Sequence, residues 1–544
     1  MERTGKLTVP LSYDDVDTPF LDLTVVWRRF ASAPDADVDM EGHAPKGMLL
    51  LHCGGPGSEA SCGPAFATGK GQPYAIDWSD PTDPKPIGFD VWGITQRGVG
   101  DNVPAFKCAN ASLPTGLSEF PAKISDFTDC ECALPDGTPM IGETWVDIDA
   151  TNSTLAEELF TKMHLRSRRC AASPRFLLTG SNGTSFNFLE YVGTELLARD
   201  IDRFRTAVGQ KLMSIVGVSY GTAVASVYAS VFPDYVDRLV INGNMFPIPD
   251  TREFAQTNGA TQQQAVSRLL ENCATQPDCP LKDPFAAFDK IISAAQSGFL
   301  VSPLTQQGMR LNLSPGMLGG YLQAVLADRS GKGWSVAIKK LHSLAEGTPA
   351  VKEAAVASLL DQYCQFGGVK TWFNYSACIG AGQLAEGSGD TYIDQTSVLG
   401  ADLAGRYDVD EAMRVYNEAA NRLGTLPLGS FLGIFSAVFS WGALPTPTAP
   451  IGNSEISPLI IGNLYDPSTG YRWSQEMARA FPNSRMITWQ GVGHILMPAD
   501  YAPEDTRECL EHVFHYMVGK KLPLNGLTCR QHLPIPVFLP TVSK

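Results

Sequence analysis

The 544-residue sequence is poor in positive charge, with 42 Lys and Arg against 57 Asp and Glu and a formal net charge of −15. It has no Lys- or Arg-rich tract, and a chain this acidic is repelled by nucleic acid and by anionic membrane surfaces, so neither is expected as a partner. The sequence also lacks a convincing membrane-spanning run. The nearest candidate, residues 429–445, is short and interrupted by Gly and Ser, which predicts a buried helix and its exit loop.

Sequence patterns typical of metal and cofactor sites are missing as well. There is no H-E-x-x-H, no paired C-x-x-C, no P-loop spacing and no glycine fingerprint for dinucleotides. Cys130 and Cys132 are too close in sequence for a zinc ribbon. We therefore expect no metal ion and no organic cofactor.

Two features of the sequence give opposite indications about the compartment. The amino terminus, MERTGKLTVPLSY, has no apolar core of the signal-peptide kind, which predicts a cytoplasmic protein if Met1 is the native start. The 12 cysteines and the N-x-S/T sequons suit a secreted protein instead. Spacing leaves the connectivity of any disulfides open; candidate local pairs are Cys273 with Cys279, Cys364 with Cys378, and Cys509 with Cys529.

Short apolar runs that stop at glycine-containing loops indicate buried strands of a parallel sheet. KGMLLLH and GFDVWGITQRG are such runs in the first part of the chain, and SPLIIGN and SRMITWQ are two more near its end. Between them, the residues from 212 to 241 predict a strand (212–218), a helix (222–231) and a second strand (236–241). A strand, helix and strand joined by short connections form a parallel crossover, so the predicted fold class is α/β.

About 200 residues of mainly helical periodicity interrupt this α/β pattern. We therefore predict residues 1–246 as the first part of an α/β core, residues 247–450 as a helical cap inserted between strands, and residues 451–544 as the second part of the core. Residues 103–170 are rich in Pro, Cys and Asp, and this composition predicts an irregular region.

The strongest chemical signal is the G-x-S-x-G pattern at residues 217–221, which lies between a predicted strand and a predicted helix. A sharp turn there pushes the serine side chain clear of the sheet, and glycines flank it because a Cβ would clash. The amino end of the following helix adds partial positive charge. We predict Ser219 as a nucleophile; the alternative is a serine that caps the helix.

A serine hydroxyl needs a base near neutral pH, and the base needs an acceptor that orients it. Asp466 follows a predicted strand in LIIGNLYDPSTG, and His494 lies in the loop after the next one, in MITWQGVGHILMP. The chain order Ser, Asp, His is a known order for catalytic triads. We predict His494 as the base and Asp466 as its partner, against a surface histidine and a turn-forming aspartate.

The stretch HCGGPG, residues 52–57, follows an apolar run and allows main chain to approach another group closely. The oxyanion of a tetrahedral intermediate needs two backbone N–H donors. One is expected from Tyr220, the residue after the nucleophile, and the other from Gly55 in this loop. Gly54 is the neighbouring possibility, and a simple tight turn is the alternative.

In their order along the chain, HCGGPG, QRGVG, GVSYG, LYDPSTG and GVGH resemble the proline iminopeptidase and tripeptidyl aminopeptidase branch of the α/β-hydrolases. The opening LTVPLSYDD and the segment from Cys509 to Cys529 resemble the tripeptidyl aminopeptidase-like members. The resemblance covers nearly the whole chain. It implies the α/β-hydrolase fold, with a mostly parallel central sheet and a cap over the site, and a triad of Ser219, Asp466 and His494.

Three places depart from the family's pattern. Thr95 stands where an aspartate usually precedes the Arg-Gly pair, and Thr222 stands where a second glycine usually ends the elbow. Exopeptidases of this branch bind the substrate's α-amine with acidic cap residues, one of them just after a cysteine. The counterpart here, SACIG at residues 376–380, has no carboxylate, although Glu386 and Asp390 follow in a predicted loop.

The sequence leaves three functions open. The first is a serine hydrolase that releases short amino-terminal units from peptides through an acyl-enzyme. The second is an esterase, lactonase or amidase that acts on a small apolar metabolite, such as one in a biosynthetic pathway. In both cases the expected partner is a small molecule or a short peptide. The third is a non-catalytic binding protein on a hydrolase scaffold, and the presence of all three triad residues argues against it.

Overall fold

The computed structural model describes most of the two predicted core parts and much of the helical segment between them. The described residues are 2–28, 47–68, 89–106, 153–246, 250–304, 310, 312–328, 332–363, 391–424, 426, 431, 434–436, 438–443, 450–496 and 503–530. Several residues singled out from the sequence lie outside these ranges: Cys130, Cys132, Cys364, Cys378, Glu386, Asp390 and the SACIG segment.

Nine of the eleven described strands form one sheet. The strands are β1 (Glu2–Pro10), β2 (Phe20–Arg28), β3 (Met48–His52), β4 (Asp90–Ile94), β5 (Leu177–Thr179), β6 (Ser185–Asn187), β7 (Met213–Val218), β8 (Val236–Asn242), β9 (Leu459–Tyr465), β10 (Arg485–Val492) and β11 (Leu527–Cys529). Their order in the sheet is β1-β2-β4-β3-β7-β8-β9-β10-β11, and β5 pairs with β6 separately. Neighbours from β4 to β11 run parallel, whereas β1, β2 and β4 pair antiparallel. The mostly parallel sheet is thus confirmed.

Helices connect the strands and cover the sheet. They are α1 (Cys62–Thr68), α2 (Ser153–Ala172), α3 (Thr194–Ala207), α4 (Gly221–Val231), α5 (Thr251–Ala274), α6 (Pro284–Gln296), α7 (Pro315–Leu326), α8 (Lys332–Glu346), α9 (Pro349–Tyr363), α10 (Thr391–Asp402), α11 (Val409–Leu423), α12 (Tyr471–Ala480) and α13 (Pro503–Gly519). Within the described ranges, no helix combines the length and the apolar character needed to cross a membrane.

The predicted crossover unit is observed as β7, α4 and β8, with each element differing from its prediction by a single residue at one end. Every residue of β3 and β7 is buried, because both strands lie inside the sheet and helices pack on its faces. This is why both segments have continuous apolar runs. The carboxyl ends of these parallel strands meet at one edge, and the loops that leave this edge carry the predicted site residues.

The helices between β8 and β9 are divided between two hydrophobic cores. Helices α5 to α9 enclose a core of their own, with Leu269, Leu322 and Leu341 buried inside it. Helices α10 and α11 pack instead into the core beside the sheet, where Val398 and Ala419 are buried. The limits of the cap, residues 247 and 450, remain a prediction. Within these limits, α5 to α9 pack around one core, whereas α10 and α11 pack into the core beside the sheet.

The sequence prediction was wrong for part of residues 103–170, because α2 begins at Ser153. Composition, averaged over the whole stretch, concealed a local helical spacing of apolar residues. Ala156, Leu159, Phe160 and Met163 recur at this spacing and are buried. The ring of Phe160 lies 6.4 Å from the ring of Tyr416 on α11, so α2 completes the core next to the sheet.

A buried ion pair joins the loop after β4 to α3. Arg97 donates from Nε and Nη2 to the carboxylate of Asp200, at 2.7 and 2.8 Å, and both side chains are fully shielded from water. The remaining guanidinium N–H groups donate to the backbone carbonyls of Pro10, Leu11 and Tyr191. Because every charge and donor here is matched, the pair fixes the end of β1 to the loop after β4 and to α3.

The Asp200→Asn variant should lower the free energy of unfolding by about 3–5 kcal/mol, because it leaves the Arg97 charge buried without its counter-charge. Urea unfolding followed by fluorescence and by circular dichroism measures this change. The Glu346→Gln variant removes an exposed partner of Lys290 and should cost less than about 1 kcal/mol. An equal, small effect of both substitutions would contradict the structural role of the buried pair.

Candidate active site

Ser219 occupies the sharp turn between β7 and α4. Its φ is 56°, in the left-handed region that non-glycine residues rarely adopt, at a cost of about 1–3 kcal/mol. The turn is held because Ser219 N–H donates to Asn242 O at 3.1 Å. The serine side chain stays partly exposed at the carboxyl edge of the sheet, while Tyr220 after it is buried.

The two glycines of the pattern are required by the closeness of the main chain. A Cβ at Gly217 would overlap the carbonyl oxygen of Gly221, and a Cβ at Gly221 would overlap that of His52. Both obstacles are backbone atoms, which cannot move aside without moving α4 or β3. The clashes agree with the prediction that a Cβ would not fit at these positions, and the contact of Gly221 shows that the elbow packs directly against the end of β3.

The threonines that depart from the family's pattern both make hydrogen bonds near this turn. Thr222 Oγ1 donates to Ser219 O at 2.6 Å and accepts from Met245 N at 2.8 Å. Thr95 Oγ1 accepts from Ala60 N at 2.9 Å, in the loop after β3. Each hydroxyl thus ties a loop of the site to a neighbouring segment.

The structure brings His494 and Asp466 into direct contact. Nδ1 of the imidazole lies 2.9 and 2.8 Å from the two carboxylate oxygens of Asp466, which is buried. The same carboxylate accepts hydrogen bonds from the backbone N–H groups of Ser468, Thr469 and Ile495 and from the Thr469 hydroxyl. These bonds fix the orientation of Asp466 independently of the histidine.

The electrostatics of this pair set the tautomer of the imidazole. Burial by itself would raise the pKa of Asp466, but the His494 ring and the amides of Thr469 and Ser468 outweigh it, so the pKa is lowered. Asp466 is therefore ionised near neutral pH. Because an ionised carboxylate can only accept, Nδ1 of His494 carries the proton and Nε2 of the neutral ring has its lone pair available.

Asn242, at the end of β8, links the serine turn to the histidine loop. Its carbonyl oxygen accepts from Ser219 N–H, and its side chain bonds both ways to the backbone of Leu496, at 3.0 and 2.5 Å. The next residue, Gly243, lies so close to Asp466 that a Cβ would stand 3.4 Å from Oδ2. Ser219, Asp466 and His494 thus follow β7, β9 and β10 at the same carboxyl edge of the sheet, and β8 with Asn242 lies between the serine and the Asp466–His494 pair. The sequence analysis missed Asn242, although its place after a buried strand was visible.

The HCGGPG loop lies against the serine turn. A Cβ at Gly54 would stand 2.6 Å from Val218 O and 2.8 Å from Tyr220 N, and its φ of 94° also favours glycine. The Gly54 N–H donates to His52 Nδ1 at 3.2 Å. In the part of the chain that the structure describes, the Gly55 N–H has no hydrogen-bond partner, which favours Gly55 over Gly54 as a donor to a ligand.

Three disulfides are found among the described cysteines. Cys273–Cys279 and Cys509–Cys529 are two of the candidate pairs, while Cys53–Cys62 was not anticipated. The last of these closes the HCGGPG loop on itself, and its only sequence signal is two cysteines that bracket the glycines. Nowhere in the described ranges do three or more His, Cys, Asp or Glu side chains gather in a way that could hold a metal ion.

Two family models match the chain. One, described as the alpha/beta hydrolase fold, matches residues 48–290, and the other, described as a TAP-like protein, matches residues 441–529. Together they cover more than half of the sequence. Their order agrees with the observed structure, because the first model spans the strands from β3 to β8 and the second spans β9 to β11.

Known relatives carry names of both peptidases and esterases. The serine protease Hip1 of Mycobacterium tuberculosis is 24% identical over 555 residues, covering 96% of this chain and 86% of its own. Carboxylesterase B of the same species is 25% identical, covering 89% of this chain and 80% of its own. Tripeptidyl aminopeptidase of Streptomyces lividans is 27% identical over 205 residues, which are 38% of this chain and 30% of its own. With the sheet, the elbow and the carboxy-terminal match in place, the resemblance inferred from the motifs is confirmed: the chain is a hydrolase of the α/β-hydrolase family, and its residues 441–529 match the TAP-like model.

Proposed function

We propose that this α/β-hydrolase is a serine hydrolase with a triad of Ser219, His494 and Asp466. The Ser219 hydroxyl attacks a carbonyl carbon while His494 Nε2 takes its proton, and the leaving group receives that proton as the acyl-enzyme forms. Water, activated by the same imidazole, then releases the acyl group. The observation that carries the proposal is the bidentate contact of His494 with buried Asp466 at the edge where Asn242 holds the serine turn.

The oxyanion is proposed to bind between the N–H groups of Gly55 and Tyr220. Support comes from the close approach of the HCGGPG loop to Tyr220 N and from the commitment of the Gly54 N–H to His52. Donors held in place before the reaction stabilise the developing charge without reorganisation, and one such donor contributes about 10²–10³ in kcat.

The substrate is proposed to be a short peptide cleaved near its amino terminus. The relatives named serine protease and tripeptidyl aminopeptidase support this class. A small ester, lactone or amide is the alternative, supported by the relative named carboxylesterase B and by the missing carboxylate in SACIG at residues 376–380. Both substrates would pass through the same acyl-enzyme.

Replacing Ser219 by Ala should lower kcat on a p-nitrophenyl ester by on the order of 10⁴-fold and abolish labelling by a fluorophosphonate probe, because only an activated serine reacts. The matched control is Ser226→Ala on α4, which removes a buried hydroxyl that has no hydrogen-bond partner and should label normally. Wild-type labelling of the Ser219 variant would exclude this residue as the nucleophile. Failure of the wild type to label would favour the non-catalytic binding protein.

Replacing Asp466 by Asn should lower kcat by about 10⁴-fold at neutral pH, because the amide donates to Nδ1 and moves the imidazole proton to Nε2. Steady-state kinetics on the same ester measure the loss. Asp283→Asn, the same chemical change at the exposed N-cap of α6, should leave kcat unchanged because Asn caps helices as well as Asp does. A loss of less than tenfold in the Asp466 variant would show that the imidazole needs no carboxylate.

The peptidase proposal predicts a difference between free and blocked peptides. Aminoacyl, dipeptidyl and tripeptidyl p-nitroanilides with a free amine should be hydrolysed, and acetylation of that amine should lower kcat/KM by about tenfold or more, since an unpaired counter-charge is left behind. The comparison is made at equal enzyme concentration beside p-nitrophenyl esters. Hydrolysis of the esters alone, with no turnover of any peptide, would establish the esterase alternative.

A further inference from the structure

The side chain of Tyr220 is held at a point far from its backbone amide. The residue is buried, and its phenol oxygen lies 3.1 Å from Gln96 Nε2 and 2.5 Å from Thr194 Oγ1. Its ring also stands edge-on to the ring of His52, with 6.0 Å between centroids. Because Tyr220 follows the nucleophile directly, these contacts anchor the residue whose N–H the proposed oxyanion hole uses.

Thr194 is in turn hydrogen-bonded to a carboxylate of the helical segment between β8 and β9. Asp402, the last residue of α10, accepts from Thr194 N–H at 2.7 Å and from Thr194 Oγ1 at 2.5 Å. Thr194 is the first residue of α3, and Gly193 before it offers no side-chain cap. Asp402 therefore takes the place of a local N-cap, where the helix dipole also favours a negative charge.

The donors and acceptors of this chain have a single consistent direction. An ionised Asp402 can only accept, so the Thr194 hydroxyl donates to it. The Tyr220 hydroxyl then donates to Thr194 Oγ1, and Gln96 Nε2 donates to the phenol oxygen. Each hydroxyl donates one bond and accepts one, and the direction of the whole chain depends on the charge of Asp402.

The charged side chains on the segments around Asp402 have partners of their own. On α3, which contacts α10, Arg199 pairs with Glu195 at 3.0 Å. Arg406 donates to the backbone carbonyls of Gly400, Leu403 and Trp441. Burial raises the pKa of Asp402 to about 6, against the lowering effect of the two Thr194 hydrogen bonds. Burial and the charge of Asp402 together raise the pKa of Tyr220, which stays protonated as a donor. Asp402 is thus the group in this network whose charge changes at mildly acidic pH.

We infer that Asp402 is a positioning residue for the oxyanion hole: through the Thr194 hydroxyl and the phenol of Tyr220, it holds the Tyr220 amide in place for transition-state stabilisation. The inference rests on the proposed function, because it assigns a purpose to the Tyr220 N–H. It goes beyond the proposed triad and oxyanion hole because it assigns a catalytic purpose to the helical segment between β8 and β9. If Asp402 only capped α3, its loss would lower stability and leave kcat of the folded enzyme unchanged.

The first test removes the links that carry no charge. Tyr220→Phe and Thr194→Val should each lower kcat on a p-nitrophenyl ester by about 10–100-fold with KM changed less than about threefold, because the donor is misplaced only for the transition state. The double variant should lose no more than the worse single variant, since both cut the same chain. Thr194→Ser, which keeps the hydroxyl, should restore most of the activity.

The second test uses the charge. Asp402→Asn should lower kcat about as much as Tyr220→Phe at pH 8, while Asp408→Asn, at the exposed N-cap of α11, should have no effect. As the pH falls through about 6, the wild-type carboxylate becomes protonated and loses its directing charge. The ratio of wild-type to Asp402→Asn kcat should therefore approach 1 at pH 5.

Two results would overturn the inference. One is wild-type kcat in folded Tyr220→Phe and Thr194→Val, with only the urea midpoint lowered. The other is a ratio for Asp402→Asn that does not change with pH. If Asp402→Asn does not fold, Thr194→Val takes its place in the pH comparison, because this variant cannot transmit the charge of Asp402 and its kcat should likewise approach that of the wild type at pH 5. Ser219→Ala is measured alongside, because its full activity would refute the proposed triad, whereas its inactivity beside an active Tyr220→Phe would refute only the role of Asp402.

Discussion

The site depends on main chain touching main chain at the carboxyl edge of the sheet. The end of β3 and the turn at Ser219 approach so closely that a side chain at Gly54 or Gly221 would overlap or crowd backbone atoms of the other segment. This contact holds the serine in a strained conformation and brings the HCGGPG loop beside the Tyr220 amide. Hydrogen bonds of Asn242 then join the serine turn to the loop that carries His494.

The helical segment between β8 and β9 reaches this edge from two sides. The backbone N–H of His494 donates to the carbonyl of Ala327, just after α7, and Val492 before it is buried in the core that α5 to α9 enclose. From the other side, Asp402 at the end of α10 bonds to the start of α3. The helical segment therefore contacts both the histidine loop and the hydrogen-bond network of Tyr220, and a change in its packing would displace both.

Local chemistry explains which parts of this picture were predictable. A G-x-S-x-G pattern between a buried strand and a helix has few other uses, and loops after parallel strands must emerge at one edge, so Ser219, Asp466 and His494 could be assigned to the same edge of the sheet. The helix at Ser153 was missed because its apolar spacing was averaged with a Pro-rich neighbour. The Cys53–Cys62 disulfide was missed because spacing alone does not select a pairing.

By itself, the sequence determined the alternation of strands and helices, the order of the predicted site residues along the chain and the positions where glycine is required, because each depends on neighbours within a few residues. Only the tertiary structure decided which distant groups share one hydrogen-bond network. Asp402 and Thr194 are 208 residues apart, and nothing near either residue in the sequence distinguishes that carboxylate from an ordinary helix-terminal aspartate. Their contact exists because α10 packs into the core beside the sheet, and packing of that kind is set by the shape and burial of the whole assembly.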